Sequence, residues 1–301
     1  MHHTPFKFSK LSFLFFFFIS IYACQQKEVP LSEEYLKADS EFRARLNKGR
    51  DHYLKLVGLH QLNFGVNLFG GSDANNIQLV SDGLPATIGA IELEGNKAIF
   101  TASDSTEIRL LESDSLIAIW TDEFLESSEN GAMLKHKHLE WQVIKRVDDY
   151  FLRVKDQNSE SAKLFKGFEA YPLQSSYVVE ADFRPFDQAQ TEEVNTQLGT
   201  NQQMDFVGIL SFQLAGEDFE LSVGTGGFLI VGDRTNDETT YGGGRYVYVD
   251  LPETSGKVTI DFNRLYNPPC VYSEFTTCPL PPAQNVLPIE ILAGEKYEQL
   301  K

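Results

Sequence analysis

Apolar positions follow two different rhythms along this chain. Leu31, Tyr35, Phe42, Leu46, Tyr53 and Val57 recur at alternating spacings of four and seven, which puts them on one face of an α-helix. Glu33, Glu34, Lys37, Arg43, Arg45 and Lys48 fill the other side. The pattern predicts a helix over residues 31–57. Gly49 is where it should bend or end, because glycine is a poor helix former. Ser32 is followed three residues later by Tyr35, so no capping box is expected.

From Ile77 onward the rhythm shortens to alternation. Ala86–Leu93, Lys97–Thr101, Glu107–Leu111, Leu116–Trp120, Trp141–Val147 and Tyr150–Val154 read as strands, separated by turn residues such as Glu94–Gly95–Asn96. A second set covers Tyr177–Phe183, Phe206–Leu214, Phe219–Val223, Phe228–Val231, Arg245–Val249, Lys257–Phe262 and Leu287–Leu292. Phe219, Leu221 and Val223 alternate strictly with polar residues, as do Val258, Ile260 and Phe262; half-buried antiparallel strands have this pattern. The expectation is a mainly β protein, an N-terminal helix followed by antiparallel sandwich or barrel-like units. Polar residues Gln188–Gln203 read as a long loop or lid. A boundary near 155–165 separates a first β unit (58–155) from a second (156–297).

The first 24 residues change the picture from fold to address. Lys7 and Lys10 precede an apolar run from Leu11 to Ala23, which ends in Ile21–Tyr22–Ala23–Cys24. About a dozen apolar residues are too few to span a bilayer as a helix but suit a signal peptide. An aliphatic residue three before a cysteine and a small one directly before it resemble the lipobox of bacterial lipoproteins. The expectation is a lipoprotein signal peptide over 1–23, acylation of Cys24 with palmitate-type chains, and a linker over 24–30. The body would then face the periplasm or the cell surface of a bacterial envelope, with the lipid as its membrane partner.

Charge excludes one class of partner. The chain has 26 basic and 43 acidic residues, a formal charge of −17, and loss of the leader's two lysines takes it to −19. No basic stripe is present, so nucleic acid is not an expected partner. An anionic membrane surface should also repel the body, which leaves tethering to the acyl chains.

The C-terminal third carries the distinctive residues. These are Asp233–Arg234–Thr235, Thr240–Tyr241–Gly242–Gly243–Gly244–Arg245, Asp261–Phe262–Asn263–Arg264–Leu265–Tyr266–Asn267–Pro268–Pro269–Cys270, Thr277–Cys278–Pro279–Leu280–Pro281–Pro282 and Ala293–Gly294–Glu295–Lys296. Together they resemble the domain of unknown function 1684 family, with Gly243 standing where alanine is expected. Leu56–Val57–Gly58–Leu59 and Gly65–Val66–Asn67–Leu68–Phe69–Gly70 are similar to that family's opening segment, so the resemblance runs over about residues 40–297. It implies exported or lipid-anchored bacterial proteins and brings no activity with it.

Candidate chemistry concentrates in the same third. Tyr241, Arg245, Asp261, Asn263, Tyr266 and Asn267 could line a pocket for a small molecule or glycan fragment, with Arg245 meeting an anionic group through its planar fork of donors. The competing reading of Arg245 is a buried pair with an acid that locks the turn. Asp233, Asp261 and Glu295 are the acid–base candidates if the protein is a hydrolase. A structural or assembly role is the third reading, favoured if these groups are all paired internally. His136 and His138, two apart, could share a strand face as metal ligands, although Lys135 and Lys137 suggest an exposed polar strand. Cys270 and Cys278 read first as a disulfide in an exported protein; a redox pair or thiol metal ligands are the other readings. No catalytic, phosphate-loop or dinucleotide signature is present, and no cofactor is expected.

Overall fold

A computed structural model describes residues 29–297 except 126–128, 147 and 198. Cys24 and its leader lie outside the described residues. Among the described residues no helix is long and apolar enough to cross a membrane.

The N-terminal helix runs from Glu33 to Leu54. Ser32 caps it, its hydroxyl accepting from the Tyr35 N–H at 3.1 Å, and Glu33 and Glu34 sit in the first turn, where the helix dipole favours acids. The helix stops earlier than the apolar spacing suggested. Leu56 pairs with Lys155 and begins a strand, so sheet hydrogen bonds claim the backbone that would have continued the helix. Gly49 does not end it, the helix continuing through to Leu54. The roughly 1 kcal/mol cost of glycine is offset by the tertiary bonds of neighbouring Arg50.

The first body is a sandwich of two sheets. One has the strand order Leu56–Gln61, Asp149–Asp156, Leu139–Arg146, Leu134–His136, Ile108–Leu110, Leu116–Ile117. The other has the order Ile77–Gln78, Gly65–Gly70, Gly89–Glu94, Lys97–Ala102, Ile119–Glu123. Pairing is antiparallel except where Gly65–Gly70 meets Ile77–Gln78. Trp141 lies between the sheets, with its ring centroid 5.4 Å from Phe69 and 5.9 Å from Phe100.

The second body is an antiparallel half-barrel of six strands, ordered Arg245–Tyr248, Phe228–Val231, Glu217–Gly224, Asn201–Leu214, Val178–Asn195, Gly256–Asp261. The alternating residues Leu221, Val223, Val258 and Ile260 are buried in its core. Two sequence expectations fail here. Residues 188–203 do not form a loop; they are the outer half of a long hairpin, with Gln190 opposite Phe206 and Asn195 opposite Asn201. Its polar composition hid it, since among the described residues of this arm only Val194, Thr196 and Phe206 are buried. Residues 287–292 do not form a strand. Pro288 offers no N–H, and the Leu287, Ile291 and Leu292 amides bond instead to the Gly232 carbonyl, the Asp233 carboxylate and the Tyr177 hydroxyl.

Candidate functional site

Arg245 starts the edge strand of the second body and is 0% exposed. Its Nη2 donates to Asp233 Oδ2 at 2.8 Å and to the Ile291 carbonyl at 3.1 Å. Its Nη1 donates to the carbonyls of Ala293 and Glu295. The other Asp233 oxygen accepts from the Thr235 N–H at 2.9 Å, the Thr235 hydroxyl at 2.6 Å and the Ile291 N–H at 3.2 Å. One ion pair thus binds together the 233–240 loop, the edge strand and the C-terminal segment 291–295. Gly244 makes the entry possible: its φ is +78°, and a Cβ there would lie 2.5 Å from Pro281. Gly243 departs from the alanine expected, and a Cβ there would meet the Tyr241 ring at 2.5 Å.

Glu295 is the centre of a second lock. Its Oε2 accepts from Arg50 Nη2 at 2.5 Å and from the Asn267 N–H at 2.8 Å. Arg50 reaches in from the N-terminal helix, bonds Asn47 at 2.8 Å, and lies 5.0 Å from the Phe168 ring centroid, 5.6 Å from Tyr272 and 5.8 Å from Phe165. Tyr272 sits inside the loop closed by Cys270 and Cys278, whose sulfurs are bonded with their Cα atoms 6.1 Å apart. Closing a loop this short contributes about 2–3 kcal/mol.

Asp261 forms a third. The Tyr35 hydroxyl donates to its carboxylate at 2.9 Å, the Asn263 N–H donates at 3.1 Å, and Arg264 Nε lies 3.2 Å away. Asn263 spends its amide on Gln174, donating at 2.9 Å and accepting at 3.1 Å. Burial pushes the Asp261 carboxyl up from its ordinary value, while hydrogen bonds from Tyr35 and Asn263 and the charge of Arg264 pull it down. The folded chain therefore keeps this proton at pH values where the unfolded chain has lost it, so the site favours folding more as pH falls through the raised value. Wild type should gain stability relative to Asp261→Asn as pH drops from about 7 toward 4, read from urea midpoints at each pH. A pH-independent difference would sink the burial account.

The six pocket candidates are thus distributed over separate contacts. Arg245 pairs with Asp233, Asp261 and Asn263 hold Tyr35, and the Asn267 side chain donates to the Lys296 carbonyl at 2.8 Å. Tyr266 exchanges backbone bonds with Tyr246 at 2.9 Å, and Tyr241 packs on Tyr297. The three acid–base candidates are likewise each engaged with a different arginine: Asp233 with Arg245, Glu295 with Arg50, Asp261 with Arg264.

The histidines part company. Lys137, at φ +53°, turns the chain between them, so they do not share a strand face. His136 is buried with Nδ1 2.9 Å from the Glu107 carbonyl. Among the described residues no group of three or more His, Cys, Asp or Glu is placed to hold a metal. His138 instead joins a cluster that sequence reasoning missed, with Ser81 Oγ 2.9 Å from His138 Nε2 and 2.7 Å from Asp156 Oδ2. The residue types are those of a nucleophile triad, but the wiring differs. In a triad the carboxylate holds the ring nitrogen remote from the serine, whereas Asp156 bonds the serine itself. The Asp156 Oδ1 accepts from the Asn158 N–H at 2.7 Å, and the cluster ties the 80–84 loop to the sheet.

The family described as "Protein of unknown function (DUF1684)" matches residues 163–296. The chain belongs to that family. The matched segment holds Asp233, Arg245, Asp261, Asn267 and Glu295, the motif residues of all three locks, while Leu56–Gly70 lies outside it. A solution NMR structure of an uncharacterized protein from gene locus rrnAC0354 of Haloarcula marismortui is 30% identical, with a TM-score of 0.39, and the alignment covers 46% of this chain and 80% of that one. No curated protein matches. Within the matched segment, Glu295 and Asp261 are completed by Arg50 and Tyr35, which lie outside it.

Proposed function

We propose that this DUF1684 protein is a lipid-anchored cell-envelope protein with a structural or assembly role, its motif residues serving as locks in place of a catalytic or ligand-binding centre. The observation that carries this reading is the internal pairing of Arg245 with Asp233 and three carbonyls, with Glu295 and Asp261 committed to Arg50, Tyr35 and Arg264. A pocket around Arg245 would need donors open to a ligand, whereas the side chain is fully buried and its one unpartnered donor, Nε, is enclosed; a hydrolase would need two carboxyls or a nucleophile–base pair facing one cleft. Each acid is instead paired with a different arginine, Asp233 with Arg245, Glu295 with Arg50 and Asp261 with Arg264. The lipobox-like Ile21–Tyr22–Ala23–Cys24 supports the anchor.

Two measurements test the reading. Cys24→Ser should abolish palmitate labelling and move the protein from the membrane to the soluble fraction, since two or more acyl chains hold a protein stably and an anionic surface should repel the −19 body. Full membrane retention by the variant would overturn the anchor. Incubation of the full chain with isolated envelope glycan should release no fragments; release that disappears in Glu295→Gln or Asp233→Asn would restore the hydrolase.

A further inference from the structure

We propose that Arg153 and Lys155, closed at one end by His52, form a binding site for a phosphoryl oxyanion on the outer face of the first sandwich. Leu152 and Val154 point into the sandwich core, so strand alternation sends Arg153 and Lys155 to the opposite face, where the C-terminal turn of the N-terminal helix covers them. Lys155 is 7% exposed, and its Nζ lies 2.9 Å from His52 Nδ1. Among the described residues neither cation has a carboxylate within ion-pair distance, and the Arg153 side chain makes no hydrogen bond, its Nε being buried without a partner.

That is anomalous in a chain of formal charge −17. Acids outnumber bases, yet successive outward positions of one strand carry a half-buried arginine and a buried lysine, neither with a carboxylate at ion-pair distance. The fully buried arginines, Arg50 and Arg245, also leave Nε without a partner, but each has a carboxylate at 2.8 Å or less. Desolvation holds both Lys155 and His52 below their ordinary values, and Arg153 adds repulsion to each. Glu140, opposite Lys155 in register, is the acid that acts on it, from beyond ion-pair distance. Carbonyls at the end of the helix favour cations only weakly. An arrangement that repels itself when empty is relieved by an anion. A guanidinium fork beside an ammonium and an imidazole presents the donors and the double charge that a phosphoryl group takes. The acidic body disfavours non-specific anion uptake, which makes any binding at this site easy to recognise.

The test uses the detergent-solubilised full chain with inorganic phosphate, and separately vesicles of phosphatidylcholine doped with phosphatidic acid. Saturable phosphate binding, with a rise in Tm, should weaken at least tenfold in Arg153→Gln and in Lys155→Met. Binding to the doped vesicles alone, lost in the same variants, would assign the phosphoryl group to a lipid and uphold the site. Lys155→Met supplies a readout that a structural lysine would not: its Tm without phosphate should equal or exceed that of wild type, because a repelled, desolvated charge has been removed. A lower Tm for that variant, binding unchanged in both variants, or binding to neither probe would each overturn the proposal.

Discussion

Arg245→Ala should be the most damaging single substitution in the second body, lowering stability by about 3–5 kcal/mol, the range for breaking one side of a buried ion pair. The guanidinium has four hydrogen-bonded acceptors, and three of them are main-chain carbonyls of residues 291, 293 and 295. Removing it leaves the Asp233 carboxylate buried opposite an apolar methyl and strips the C-terminal segment of a lateral support. Arg245→Lys keeps the charge but not the planar fork, so it should recover only part of the loss. Replacing both members, as Arg245→Met with Asp233→Leu, should be milder than Arg245→Ala alone, since no uncompensated charge remains. Urea unfolding of the four proteins gives the comparison. An Arg245→Ala midpoint shift worth less than about 1 kcal/mol, the range of an exposed ion pair, would mean that the segment is held by other contacts.

The mainly β class and the N-terminal helix were legible because their periods differ. Val258 and Ile260 face the core while Lys257 and Thr259 do not, and a period of two needs no knowledge of the partner strand. The hairpin arm was illegible for the same physical reason: both its faces meet water over much of its length, so Gln190 to Asn201 show no apolar alternation. Residues 287–292 misled in the other direction. They are apolar enough for a strand, but the groups that satisfy their amides are a carboxylate and a phenol from distant segments. Arg50 was overlooked because a charge inside a helix reads as solvent-facing. The rings that cover it, Phe165, Phe168 and Tyr272, stand more than a hundred residues away in the chain. The motif cluster around Arg245 could be found from residue types, while its character could not, since Arg–Asp pairing and Arg–ligand pairing call for the same side chains.

Arg50→Ala is the second large expected effect, and it reaches beyond stability. The substitution removes the buried charge partner of Glu295, leaving that carboxylate with the Asn267 N–H, and it empties the space between three aromatic rings. A loss of about 3–5 kcal/mol follows from the unpaired buried carboxylate. Glu295→Gln keeps the acceptor oxygen and should cost less than Arg50→Ala. The double variant should cost less than the sum, because the two residues share one bond. The helix itself reports the event: protease cleavage between residues 33 and 54 should quicken in Arg50→Ala while the sandwich built on Trp141 stays protected, since Glu295, Phe165, Phe168 and Tyr272, which hold Arg50, are not members of the Trp141 core. Equal protection of the helix in both proteins would show that Tyr35, bonded to Asp261, and Arg43, which donates to the Asn263 carbonyl at 3.3 Å, hold it without Arg50. The same logic bears on the family segment. Expressed alone, residues 163–296 lack Arg50 and Tyr35, so Glu295 and Asp261 lose partners while Phe165, Phe168 and Tyr272 lose their cover. That fragment should aggregate, whereas a chain beginning at the helix should not. Exposed aromatic surface of this kind is what the helix removes from water, and this is why a helix outside the matched segment is part of the unit that folds.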